Sequence, residues 1–108
     1  GMLKKHYAPR AKLVRIPHGD VNAMTRAIAE AGRDGELVAA LAIGERVCAA
    51  AAPALCVTMP DDPHGYARWL YAELHAMDDR AIARLVIEDV PAGAAWDGVR
   101  DRLARASA

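Results

Sequence analysis

Residues 37–43 form an almost unbroken apolar run that ends at Gly44. A strand with one face in water alternates polar and apolar side chains, whereas a continuous apolar run is typical of a strand covered on both faces. Two further runs follow at residues 54–59 and 82–87, the second interrupted by Arg84, which we expect to be a charge at an edge or tip of the sheet. The three runs predict strands buried on both faces, in a sheet that carries helices on both sides.

Helical periodicity separates these strands. An alternating strand is predicted at residues 12–16. Asp20 and the pair Asp62-Pro63 are expected to begin helices, because a carboxylate caps free N–H groups and proline suits the first turn. The apolar stripes of three helices are Val21, Met24, Ile28 and Ala31, then Tyr66, Leu70, Leu74 and Met77, and finally Trp96, Val99, Leu103 and Ala106.

A short segment at residues 45–52 decides between two folds. Its alanines favour a helix, but Pro53 stops it after about two turns. If the segment is a crossover helix, the sheet is parallel and the chain forms a three-layer α/β sandwich. If it is a hairpin connection, the order β-α-β-β-α-β gives a ferredoxin-like domain with an extra helix. The continuous apolar runs favour the first fold, a small Rossmann-like sandwich with a mainly parallel four-stranded sheet.

Composition limits the size and the class of the protein. The chain has 108 residues, of which 54% are hydrophobic, enough for one folded domain. We predict an extended basic arm at residues 1–11 and an α/β domain at residues 12–108. No charge-free apolar stretch is long enough to cross a bilayer, and the basic start is not followed by the apolar segment of a signal peptide. We therefore expect a cytoplasmic protein.

The two cysteines, Cys48 and Cys56, lie in apolar surroundings and have no metal-binding spacing. In a reducing compartment a free thiol of this kind behaves as a small hydrophobe. That interpretation is favoured over a disulfide between the two residues or a metal role.

The charges are distributed unevenly along the chain. The formal net charge is zero, yet residues 1–16 hold all three lysines and no acid, which makes the remainder acidic. Within the arm, cations lie beside His6 and Tyr7, side chains that can pair with phosphate and stack on a base or sugar. A basic arm on an acidic body indicates either an anionic ligand, such as a nucleotide or RNA, or simply a solvated segment.

No catalytic motif is apparent in the sequence, so we assign no catalytic residue and no metal ligand. Asp61, Asp62 and His64 could gather around a metal, but helix capping explains the acids as well. His18 is expected in an exposed turn and His75 on a helix surface. Both tryptophans, Trp69 and Trp96, are expected to pack in the core.

Three stretches resemble one family. Residues 1–10, with His6-Tyr7-Ala8-Pro9 as their most specific part, look like the linker that joins the catalytic YrdC-like domain to the C-terminal domain in the Sua5 family of threonylcarbamoyl-AMP synthases. Residues 66–74 are similar to the penultimate helix of that C-terminal domain, and residues 101–106 to its last helix. The loop at residues 91–96 departs from the Gly-Leu-Gly-like stretch usual in the family.

The resemblance implies a role in an ATP-dependent step of tRNA modification. In this family of nucleotidyltransferases the catalytic domain joins threonine, bicarbonate and ATP into threonylcarbamoyl-adenylate, for the threonylcarbamoyladenosine of tRNA. The C-terminal domain is a small Rossmann-like unit, and the linker lies across the nucleotide pocket. Carried over to this chain, the linker residues near the nucleotide are Lys5, His6, Tyr7, Pro9 and Arg10.

The motifs of the catalytic domain are not among these 108 residues. The expected partner is therefore a YrdC-like domain, in cis or in trans, that binds ATP with magnesium, and the chain itself is expected to hold no cofactor. Direct contact with tRNA is a weaker expectation, and no membrane contact is expected. The alternative function is a small-molecule-sensing or interaction module of the ACT type, unrelated to tRNA modification, which would have the ferredoxin-like fold.

Overall fold

A computed structural model describes residues 8–107 of the chain. Four strands and four helices alternate along it. The strands are β1 (Lys12–Ile16), β2 (Val38–Ala42), β3 (Leu55–Thr58) and β4 (Arg84–Glu88). The helices are α1 (Val21–Ala31), α2 (Glu45–Ala49), α3 (Pro63–Asp79) and α4 (Asp97–Ser107).

All strand pairs in the sheet are parallel, in the spatial order β1-β4-β2-β3. Residues 45–52 therefore belong to a crossover: they form the short helix α2 and the turn that follows it. A ferredoxin-like domain would require β2 and β3 to pair antiparallel, so the structure excludes that fold and the ACT-type arrangement that depends on it. The Rossmann-like prediction is confirmed.

Helices cover both faces of the sheet. On one face α1 and α2 enclose a core that contains Met24, Val47 and Val86. On the other face α3 and α4 enclose a larger core that contains Leu41 and Leu85. The strand positions alternate between the two cores, as expected for a sheet covered on both sides.

The predicted helix signals are confirmed at both long crossovers. The Asp20 side chain accepts a hydrogen bond from Ala23 N–H at the start of α1, and α3 begins with Asp62 as its cap and Pro63 in its first turn. Each cap satisfies an N–H group that the helix itself leaves without a partner.

Two expectations need correction, for β3 and for Trp69, and the position of Arg84 is decided between the two alternatives. The run at residues 54–59 gives β3, which is an edge strand paired with β2, so Leu55 is exposed rather than buried on both faces. Of the two positions expected for Arg84, an edge or a tip of the sheet, the structure shows the tip, because Arg84 begins the interior strand β4. Its charge lies at the tip of the sheet, where Glu36 and Asp34 pair with it at 3.0 and 3.4 Å. Trp69 is 50% exposed because it points away from the apolar stripe of α3.

Candidate functional site

The carboxyl ends of the strands form the edge at which open α/β sheets bind ligands. In this chain the loop after β1 leads to α1 on one face, whereas the loop after the neighbouring strand β4 leads to α4 on the other. The loop after β2 leads to α2, which lies on the same face as α1, so the loops after β4 and β2 also depart to opposite faces. Loops that depart in opposite directions leave a crevice between them, so a ligand site is expected at this edge of the sheet.

Glu88, the last residue of β4, is the buried charged side chain at this edge and is only 1% exposed. Its two carboxylate oxygens accept hydrogen bonds from Gly19 N–H and Ile43 N–H, both at 2.8 Å. These donors belong to the loops that follow β1 and β2. Glu88 therefore ties both flanking loops to the central strand, and the hydrogen bonds offset the cost of burying its charge.

His18 and Asp89 extend the network toward the surface. His18 Nδ1 lies 3.0 Å from Glu88 Oε2 and 3.2 Å from the backbone oxygen of Asp89. The guanidinium of Arg15 contacts Asp89 Oδ1 through Nε at 2.8 Å and Nη2 at 2.7 Å. His18 is exposed, as expected for a turn residue, but it also belongs to a polar network around Glu88 that sequence reasoning did not find. A signal existed, because an acidic pair directly follows the third apolar run.

Tyr66 lies in the core on the α3 and α4 side of the sheet. Its ring packs edge-on against Trp96, with ring centroids 5.8 Å apart, and its hydroxyl has no hydrogen-bond partner among the described residues. Burial raises the pKa of Tyr66 above its ordinary value, and the negative charges of Glu88 and Asp89 raise it further. The phenol is therefore neutral at physiological pH.

The network at this edge is a brace. Its carboxylates face backbone N–H groups, an imidazole and a guanidinium, and each of these contacts holds a loop against a strand. Within the described residues, no serine, threonine or cysteine is among the hydrogen-bond partners of these carboxylates and this imidazole. Its chemical capacity is to fix the shape of the loops after β1, β2 and β4.

Of the predicted linker residues, Lys5, His6 and Tyr7 lie outside the described residues, and Pro9 and Arg10 lie within them. The backbone N–H of Arg10 donates to Asp78 Oδ1 at 3.0 Å, and its guanidinium donates to the backbone oxygen of Asp78 at 3.3 Å. The next residues lead straight into β1 at the amino end of the sheet. The structure thus places Arg10 at the edge opposite Glu88, and the two sets of residues are not brought together.

A groove of about 620 Å³ runs between α3 and α4. Arg68, Arg102 and His64 line it over an apolar floor, and no acidic residue contributes to its lining. Neither arginine forms an ion pair within the part of the chain that the structure describes. The groove is a basic surface on a body whose charge is otherwise mostly acidic.

Among residues 8–107, the structure contains no group of three or more His, Cys, Asp or Glu side chains that could hold a metal ion. In the same part of the chain no helix is long and apolar enough to span a bilayer.

Comparison with known proteins gives one family. The sequence profile of the threonylcarbamoyl-AMP synthase C-terminal domain matches residues 1–108, the entire length given. Neither the curated proteins nor the solved structures that were compared gave a match. The profile match, the parallel α/β fold and the linker-like residues ahead of β1 agree with one another. The chain belongs to the family of C-terminal domains of threonylcarbamoyl-AMP synthases.

Proposed function

We propose that this domain is the accessory part of an ATP-dependent threonylcarbamoyl-AMP synthase and that its basic arm closes the nucleotide site of a YrdC-like catalytic domain. The observation that carries the proposal is the extent of the family match, which includes both the arm and the α/β domain. In this proposal the catalytic domain, in cis or in trans, binds ATP with magnesium and performs the chemistry. The present chain supplies the basic arm that closes the nucleotide site.

The contact between Arg10 and Asp78 supports the proposal that the arm closes the nucleotide site of a partner domain. It anchors the arm to the end of α3, so the position from which the arm leaves the domain is defined. On a fully extended chain, Lys5 lies at most about 18 Å from Arg10 and Tyr7 at most about 11 Å. A partner whose nucleotide pocket lies within these distances of the anchor is within range of Lys5, His6 and Tyr7.

The arm has the chemistry to close over a nucleotide. Lys5 and His6 can donate charge-assisted hydrogen bonds to phosphate oxygens. Tyr7 can stack on the base or hydrogen-bond to the sugar. The brace at Glu88 lies at the other edge of the sheet and has no part in this contact; it maintains the domain to which the arm is attached.

The test uses a YrdC-type catalytic domain that lacks its own C-terminal domain, with this chain added in trans. We expect the conversion of ATP to pyrophosphate to become faster, or the nucleotide to bind more tightly, when the intact chain is present. The double variant His6→Ala, Tyr7→Ala should lose most of that effect while its melting temperature stays within about 2 °C of the parent. His64→Ala, which removes an exposed histidine from α3, is the control and should behave as the parent does.

Two outcomes would count against the proposal. The intact chain could leave both rate and nucleotide affinity unchanged. Alternatively, the double variant could melt clearly lower and yet support normal turnover, which would mean that Tyr7 packs on its own domain and that the arm is structural.

A second candidate function is direct contact with tRNA. The groove lined by Arg68, Arg102 and His64 favours it, because guanidinium groups without acidic neighbours bind phosphate well. Binding of this kind weakens steeply with salt as counterions are released. Arg68→Ala with Arg102→Ala should then weaken tRNA binding and flatten its salt dependence, whereas tRNA affinity unchanged in this variant would exclude the groove.

A further inference from the structure

Cys48 and Cys56 face each other across the interface between α2 and the edge strand β3. Both thiols are free and half-buried. They line one surface depression of about 370 Å³, whose other walls include Ala49, Ala52 and Ala54. The depression is open to solvent, so a small reagent can reach both sulfur atoms without unfolding the domain.

The two thiols are close enough to influence each other. Cys48 is among the causes that raise the pKa of the Cys56 thiol, and Cys56 Sγ lies 3.9 Å from the backbone oxygen of Val57. Two cysteines that line one depression from separate elements can reach disulfide geometry through a movement of α2 and of their own side chains.

The surroundings permit that approach. Helix α2 has five residues and no side-chain hydrogen bond at its amino end, where it begins after Gly44. A helix so short is held mainly by its packing against the sheet. The neighbouring alanines leave room for the sulfur atoms to move, because they place only methyl groups in the depression.

We propose that Cys48 and Cys56 form an oxidation site that closes to an intramolecular disulfide when the domain meets a two-electron oxidant of the peroxide class. This inference does not depend on the proposed function of the arm. It also revises the expectation that both cysteines are merely small hydrophobes.

The chemistry proceeds in two steps. A thiolate first attacks one oxygen of hydrogen peroxide; the O–O bond breaks, a sulfenic acid forms and hydroxide leaves to become water. The second cysteine then attacks the sulfenic sulfur; the S–S bond forms, the S–O bond breaks and a second water leaves. In total, two thiols and one peroxide give one disulfide and two water molecules.

The environment sets the order of attack. Burial raises the pKa of the Cys56 thiol, and the neighbouring Cys48 raises it further. A thiol that holds its proton reacts slowly with peroxide from solution. We therefore expect the sulfenic acid to form on Cys48, and Cys56 to resolve it because that second step is intramolecular and does not depend on an encounter from solution.

The disulfide would join α2 to the edge of the sheet. The amino end of α2 follows Ile43, whose N–H is held by Glu88. Closing the bond would thus stiffen one of the loops of the brace at the carboxyl edge. The fold itself would be unchanged, since both cysteines already lie at the same interface.

The test starts from the fully reduced chain, exposed to hydrogen peroxide at neutral pH. We expect both free thiols to disappear together, no disulfide-linked dimer to form and the mass of the chain to fall by about 2 Da, the two hydrogens lost. A reductant should restore both thiols and the original mass. The same treatment of the chain in denaturant shows how much of the reaction depends on the fold; the folded chain should close at least several-fold faster.

Single variants assign the roles. In Cys56→Ser the sulfenic acid on Cys48 should persist and be trapped by dimedone, whereas Cys48→Ser should label at least several-fold more slowly. If the serine variants prove unstable, Cys56→Ala and Cys48→Ala replace them, with the melting temperature of each reduced variant as the check. The inference is wrong if the parent chain keeps two thiols, if it gains oxygen atoms on each sulfur without losing mass, or if it forms only intermolecular dimers.

Discussion

Tyr66 shows how a single polar atom can oppose an otherwise favourable burial. Its ring contributes to the core and meets Trp96 edge-on, which favours the folded state. Its hydroxyl has no hydrogen-bond partner among the described residues, which costs about 1–3 kcal/mol for a buried group. The aromatic ring therefore stabilises the folded state, whereas the hydroxyl oxygen destabilises it.

We expect Tyr66→Phe to raise the free energy of unfolding by about 1 kcal/mol, because it keeps the ring and removes the unsatisfied oxygen. Denaturant unfolding followed by circular dichroism measures the change. Tyr71→Phe, on the half-buried side of the same helix, is the matched control and should not stabilise the domain. A lower free energy of unfolding for Tyr66→Phe would mean that the hydroxyl is satisfied in solution.

Alkaline pH should destabilise the domain through Tyr66 and Cys56. Burial raises the pKa of both groups above their ordinary values of about 10 and about 8.5. As pH rises past those values, the unfolded chain releases these protons and the folded chain retains them, so stability present below about pH 8.5 is progressively lost above it. Unfolding measured at several pH values from 8 to 11 should show a shallower loss in Tyr66→Phe and in Cys56→Ala than in the parent.

Glu88 is the residue on which the brace depends. Glu88→Ala leaves Gly19 N–H and Ile43 N–H without their acceptor, so we expect it to lower the free energy of unfolding by about 2–4 kcal/mol. Glu30→Ala, an exposed position on α1, should change it by less than about 0.5 kcal/mol. Thermal or urea unfolding of the three proteins is the measurement, and equal effects for the two variants would contradict the role of the brace.

At the scale of elements, the start of α3 is held by close contact as well as by a cap. The Asp62 carboxylate accepts from Gly65 N–H at 2.7 Å. A methyl group on Gly65 would lie 2.8 Å from Asp62 Oδ2 and 2.9 Å from the side chain of Pro60. Position 65 therefore requires glycine for space, although its backbone is helical.

A pair of glycine variants separates helix propensity from this contact. Gly98→Ala in α4 meets no atom within 4 Å and should raise the free energy of unfolding by about 0.5–1 kcal/mol. Gly65→Ala gains the same propensity but must displace the cap, so we expect a net loss of about 1 kcal/mol. Thermal unfolding of both variants checks the difference in sign; stabilisation by both would show that the cap can move aside freely.

At the scale of the whole molecule, the arm and the body meet at Asp78. The side chain of Asp78 accepts a hydrogen bond from the backbone N–H of Arg10, which lies 68 positions earlier in the sequence. Ala11, the next residue, is already buried in the core beneath α3 and α4. The body of the domain thus determines where the arm begins.

Removing this anchor should free the start of the arm while leaving the core intact. We expect Asp78→Ala to speed hydrogen exchange of the Arg10 amide at least tenfold and to lower the free energy of unfolding by about 1 kcal/mol. Asp79→Ala makes the same change of charge at the exposed neighbouring position and should affect neither quantity. An Arg10 amide that exchanges equally in both variants would show that the contact does not hold the arm in solution.

Several features followed from local sequence alone. The caps at Asp20 and Asp62, the apolar stripes of the long helices and the parallel sheet all depend on spacing within a few residues, or on the absence of polar residues from a strand. The resemblance to the family also rested on short contiguous stretches, and the profile match confirms it. The linker residues near the nucleotide remain a prediction.

Other features required the tertiary structure. An apolar run does not indicate where its strand lies in the sheet. The edge position of β3 and the interior position of β4 therefore became apparent only from the strand order. The exposure of Trp69 depended on how α3 is rotated against the sheet. The brace at Glu88 and the depression lined by Cys48 and Cys56 both bring together residues from different elements. Local patterns determine helices, caps and buried strands because their causes lie within one or two turns, whereas contacts between elements exist only after the crossovers have brought distant residues together.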